Sequence, residues 1–93
     1  MSEKEIREII DAWNHYIYAR RQEIARDWLQ VNGYDSESST IPANKWFDFT
    51  SYLMRETRGM WAVTRGLAET YRREGWDVKL NMQDETLEFF GKI

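Results

Sequence analysis

Over residues 44–74 apolar side chains return every three or four positions for about eight turns, and this stretch constrains the fold more than any other. Trp46, Phe49, Leu53, Met60, Val63, Leu67 and Tyr71 fall on one stripe, which predicts a long amphipathic helix turned toward a core. On the other side Phe47, Met54, Trp61 and Ala68 recur at strict heptad spacing, interleaved with Arg58, Arg65 and Arg72. Large apolar groups alternating with guanidinium heads make a ridge that water solvates poorly. A short repeat, Thr57-Arg58-Gly59-Met60 and Thr64-Arg65-Gly66-Leu67, sets Gly59, Ala62 and Gly66 on a narrow strip that either admits a close backbone or bends the helix.

A second helix-forming stretch precedes it. Ser2 followed three residues later by Glu5 has the form of a capping box, and Ile6, Ile10, Trp13, Ile17, Ile24, Trp28 and Val31 continue a single stripe toward Asn32-Gly33. Between the two stretches the periodicity lapses into Gly, Asp, Ser and Thr, with the only proline at position 42, so a loop is expected over 33–43, with Asn44 as a cap. Two helices joined by such a loop form an antiparallel hairpin, in which facing residue numbers sum to roughly 75. Trp28 then meets Trp46 and Phe49, and Trp13 lies near Met60 and Val63. Arg20, which interrupts the first stripe, faces Glu56 on the second. A partly buried guanidinium needs a carboxylate, so an Arg20–Glu56 ion pair is expected.

After Gly75, the predicted end of the second helix, the period changes to two. Trp76, Val78, Leu80 and Met82 alternate with polar residues, and Leu87 and Phe89 resume the alternation across Asp84-Glu85. A β-hairpin pairing Met82 with Leu87 and Leu80 with Phe89 is expected, with a short helix capped by Asp84 as the alternative. The fold class is therefore mainly α, in one domain over residues 1–93: a helix over 2–32, a loop over 33–43, a helix over 44–74 and a hairpin over 76–90.

No cysteine is present, which rules out disulfides and cysteine-based zinc sites, and the net charge of -3 argues against nucleic-acid binding driven by overall charge. No apolar run reaches the length of a membrane span, and the start, Met1-Ser2-Glu3-Lys4-Glu5, lacks the pattern of a signal peptide; a cytoplasmic protein is expected. The one histidine, His15, follows Glu8 and Asp11 on the outward side of the first helix, but the second helix supplies no matching ligands, so neither a metal nor another cofactor is expected. No nucleophile stands at a recognisable spacing from His15, and no catalytic residue is assigned.

What is left is the ridge. Trp, Phe, Met and Arg are the residues enriched at the centres of protein contacts. The sequence thus points to a non-enzymatic interaction module, an adaptor or inhibitor, presenting Phe47, Met54, Arg58, Trp61, Arg65 and Arg72. The partner is another protein or a second copy, two hairpins then making a four-helix bundle. Two alternatives remain: residues 76–90 cover this face, or the Arg ladder of Arg55, Arg58, Arg65 and Arg72 binds phosphate or nucleic acid, with Trp61 stacking on a base.

Overall fold

A computed structural model describes residues 1–37 and 40–93; the part of the expected 33–43 loop at Ser38 and Ser39 lies outside the described residues. The chain forms helix α1 (Glu3–Val31), a 3-10 turn (Ala43–Lys45), helix α2 (Trp46–Arg73) and an antiparallel hairpin of strands β1 (Trp76–Asn81) and β2 (Thr86–Lys92). The two helices pack together, and the tail is a hairpin, not a short helix.

Local chemistry accounts for most of the element ends. Ser2 Oγ accepts from the Glu5 amide at 3.2 Å, while Glu5 Oε1 accepts from the Ser2 amide at 3.3 Å and hydroxyl at 3.0 Å, closing the first turn of α1. At its other end Gly33 takes φ 82°, so the Tyr34 amide reaches back to the Leu29 carbonyl at 2.9 Å. Gly75 ends α2 in the same left-handed conformation, φ 94°. Asn44 does not cap α2. The chain enters through the 3-10 turn, in which extended Pro42 accepts from the Lys45 amide at 2.9 Å without any side-chain cap.

The structure divides into two compact units, Met1–Ile17 with Gly59–Ile93, and Tyr18–Arg58. In the first, Ile6, Ile10, Ala68, Tyr71, Trp76, Val78 and Leu87 form a core on which Trp13, Leu67, Leu80 and Phe89 pack. Two polar contacts fix this assembly. The Trp13 indole N–H donates to Thr64 Oγ1 at 2.8 Å. The Asn14 carboxamide donates to the Leu87 carbonyl at 2.9 Å and accepts from the Leu87 amide at 3.0 Å. An amide side chain offers the same donor and acceptor as a peptide group, so Asn14 stands in for a neighbouring strand at the β2 edge. A lone two-stranded hairpin is marginal in water; this one is held by its buried face and by that clamp.

The hairpin register corrects the expected pairing. Leu80 pairs with Leu87 and Val78 with Phe89, which leaves Met82 unpaired and exposed. A two-residue Asp-Glu turn would need positive φ at Asp84, and in its type I′ form at Glu85 as well. Instead the Asn81 carboxamide oxygen accepts from the Gln83 and Asp84 amides, each at 3.1 Å, and only Glu85 takes a positive φ, 59°. The slip is by two residues over 78–81 and 86–89, so those side chains keep their faces, and a bulge then shifts the register where Trp76 pairs with Lys92.

In the second unit Trp28, Leu29 and Phe49 form the core, with Ala25, Ile41, Tyr52 and Leu53 against it. Trp28 and Phe49 meet edge to face with ring centroids 5.7 Å apart, and Tyr34 stacks on Trp28 at 6.0 Å.

Several residues of α2 lie where the stripe did not put them. Val63, expected inward, is 49% exposed, and Ala68, expected on the ridge, is fully buried. The buried face is turned toward Thr57 and Thr64, whose hydroxyls donate to the Leu53 and Met60 carbonyls at 2.8 Å. Once its hydroxyl is bonded one turn back, threonine buries much as valine does. Val31, expected on the α1 stripe, is also exposed, while Leu29 takes a core position. No atom comes within 4 Å of where a Cβ would sit on Gly59 or Gly66, so within the described chain no backbone approaches that strip.

Candidate interaction face on the second helix

Within the Tyr18–Arg58 unit, Phe47, Met54 and Arg58 share the outer line of α2. Phe47 is 81% and Met54 69% exposed, the two most open large apolar side chains of the helix. Trp46 joins them. Expected in the core, it is 55% exposed, its ring tilted over Phe49 at 5.6 Å. As the first residue of α2 it has no preceding α-helical turn against which to fold, a positional signal that periodicity does not carry.

Beside this line is an open cleft of about 210 Å³ lined by Trp28, Val31, Asn32, Asp48, Tyr52 and Arg55. Apart from Arg55, a rung of the Arg ladder, none of these stands out as functional in the sequence, since they come from two helix faces that become neighbours only on folding. Asp48, Tyr52 and Arg55 follow the spacing of one α2 face.

Arg55 and Arg58 make no ion pair or hydrogen bond with any described residue. Of the acids along the helix, Asp48 lines the same cleft as Arg55 without pairing with it, and Glu56 turns to Arg20, with Glu56 Oε2 3.8 Å from Arg20 Nη2. Arg20 Nη1 also donates to Glu23 at 2.9 Å, a partner on its own helix. Both carboxylates are well exposed, so each contact is worth at most about 1 kcal/mol.

In the other unit, Arg65 and Arg72 are exposed and likewise unpaired among the described residues, and Trp61 is half-buried. Arg73, not Arg72, takes the nearby acid, Glu69. With Ala68 buried in the core, the outer line of this unit is not the continuous ridge that heptad spacing suggested.

Two groups with shifted ionisation, Glu5 and Tyr71, lie away from these faces. Hydrogen bonds from Ser2 hold the Glu5 carboxyl below the usual range, and burial, followed by the charge of Glu74, raises the Tyr71 hydroxyl. His15 Nδ1–H donates to the Asp11 carbonyl at 2.9 Å, and among the described residues no three His, Cys, Asp or Glu side chains gather closely enough to hold a metal ion.

Comparison with protein-family models, curated proteins and solved structures finds no match. The geometry therefore carries the functional reading alone. Among the described residues no helix is long and apolar enough to cross a membrane.

Proposed function

We propose that this chain is a protein-interaction module, an adaptor or inhibitor that acts by binding and not by catalysis, through the outer face at the start of α2. One observation carries the reading: Phe47 and Met54, one heptad apart, lie open on a single line with Trp46 beside them. Contiguous exposed apolar groups on a small protein promote association, and aromatic and Met side chains are the ones that anchor contacts when covered. Arg58 on the same line supplies a rigid fork for a carboxylate.

A second reading, binding of phosphate or nucleic acid, is supported by the absence of carboxylate partners for Arg58, Arg65 and Arg72 among the described residues. It draws nothing from Phe47 or Met54, which separates the two experimentally.

The test places a photo-crosslinking amino acid at position 47, at 54, or at exposed Gln22 of α1, in cells that make the protein. Discrete protein adducts from 47 and 54 but not from 22, lost from 47 when Met54→Glu is added, are expected. Identical adduct patterns from all three positions would refute the reading.

A further inference from the structure

In the Tyr18–Arg58 unit the outer line of α2 reads Phe47, Ser51, Met54, Arg58, with steps of four, three and four residues. That alternation is the seam on which two helices set side chains into each other's gaps. Along one edge of the seam stand Asp48 and Arg55, seven residues apart and both exposed. They line one cleft without pairing with each other, and neither has an ion-pair partner among the described residues. The opposite edge carries no charge: it is Thr50 and Thr57, whose hydroxyls donate to carbonyls of their own helix.

This arrangement is self-complementary in one orientation. When two such helices run antiparallel, like edges face each other, and seam residues meet where their numbers sum to about 105. Asp48 of the second copy then comes level with the turn that carries Arg55 and Arg58, and the two-fold axis repeats the contact at the other end. One carboxylate meets two guanidinia whose like charges otherwise oppose each other along the helix. Met54 falls beside Ser51 of the second copy, a side chain small enough to leave it room, and Phe47 lies under the stem and guanidinium of Arg58. A parallel pair gains none of this. It sets Arg58 against Arg58 in one layer and turns Asp48 and Arg55 toward the uncharged threonine edge. A foreign helix would need an acid of its own at that height, whereas this chain already carries one beside Phe47.

We propose that residues 47–58 of α2 are a homodimer interface, two copies packing antiparallel with Asp48 of each set between Arg55 and Arg58 of the other. This rests on the interaction-module reading and names its occupant, a second copy of this chain. The face rises about 17 Å along the helix, some three turns. So short a contact lies at the small end of specific interfaces, and a dissociation constant of about 1–100 μM is expected.

The test measures mass against concentration by light scattering for the full chain and its variants. Met54→Glu, which puts a charge on the seam, is expected to abolish the dimer. Asp48→Arg and Arg55→Asp each set like charges face to face; the first is expected to weaken it at least about tenfold and the second at least about threefold. Fluorescently labelled Asp48→Arg titrated with Arg55→Asp regains opposite charges between positions 48 and 55 at both ends. That heterodimer is expected to form at least about fivefold more tightly than either variant with itself. Positions 48, 54 and 55 are all exposed, and circular dichroism matching the wild type checks that each variant folds.

A wild type that stays monomeric to about 1 mM would overturn the second copy. Photo-crosslinks from positions 47 and 54 to other proteins would then leave the interaction face standing, and their absence as well would remove both. A dimer weakened by Met54→Glu but indifferent to both charge variants, or a mixture that associates no better than its parts, would keep the face and overturn the antiparallel charge match. A dimer untouched by Met54→Glu would lie elsewhere on the molecule and overturn the proposal.

Discussion

Thr64→Val changes only a few atoms, yet the structure gives it a defined cost. Thr64 is fully buried, and its oxygen is the acceptor for the Trp13 indole N–H at 2.8 Å. Valine keeps the shape and removes that acceptor. The Met60 carbonyl, which accepts from the Thr64 hydroxyl, retains the ordinary helical position to accept from the amide one turn on, so the substitution strands only the indole. Leaving such a donor unmet costs about 1–3 kcal/mol, against up to about 0.8 kcal/mol from the methyl buried in its place. Trp13 is itself only half-buried, so a net loss near the low end, about 1 kcal/mol, is expected. For a chain of this size that lowers Tm by about 4–8 °C. Urea unfolding followed by far-ultraviolet circular dichroism measures it directly. The sharper form is a double-mutant cycle: in a Trp13→Phe background no indole remains to be stranded, and Thr64→Val should be close to neutral, a coupling of about 1 kcal/mol. A Thr64→Val protein as stable as wild type, or one equally weakened with Phe at position 13, would show that the bond does not hold α1 to α2 in this unit.

Two further tests bear on the same unit. Asn14→Ala leaves both the amide and the carbonyl of buried Leu87 without their side-chain partner, at about 1–3 kcal/mol for each group that water cannot reach; hydrogen exchange at the Leu87 amide should accelerate more than at other β2 amides, and uniform acceleration would mean that the clamp is not local. Glu5, its carboxyl held low first by the Ser2 hydroxyl and then by the Ser2 amide, contributes stability that is fully present above its unfolded-state pKa and disappears as pH falls through the lowered folded-state value. Ser2→Ala should therefore flatten the acid limb of a stability-against-pH profile while barely changing its neutral-to-alkaline shape; an unchanged acid limb would remove Glu5 from the cap.

The readable parts of the sequence were those decided by near neighbours. Ser2 and Glu5 sit three residues apart, Gly33 and Gly75 take up the left-handed conformation where the stripes end, and Ile6, Ile10, Ile17 and Ile24 are buried on the one face that helical spacing assigns them. The Arg20 stripe break also led to a carboxylate, although Glu23 shares it with Glu56. Reading hydrophobic side chains alone failed at α2, where Thr57 and Thr64 hold the centre of the buried face. Their polarity is cancelled by carbonyls one turn back, so a scale that ranks threonine as polar rotates the stripe and puts Val63 inside and Ala68 outside. Much of the candidate face was legible, since Phe47, Met54 and Arg58 lie on the outer line, but Trp46 and the cleft beside Arg55 were not.

The sequence by itself determined that this chain makes two long helices and a period-two tail, because helix spacing, caps and strand alternation are local properties. Tertiary structure decided which way α2 turns and how the hairpin is registered, because both depend on partners far along the chain: Thr64 needs Trp13, and the β2 edge needs Asn14. Within the Tyr18–Arg58 unit it also left Phe47 and Met54 exposed on the outer line of α2. A heptad line can mark a core or a contact surface equally well, and only the placement of everything else leaves part of it facing water.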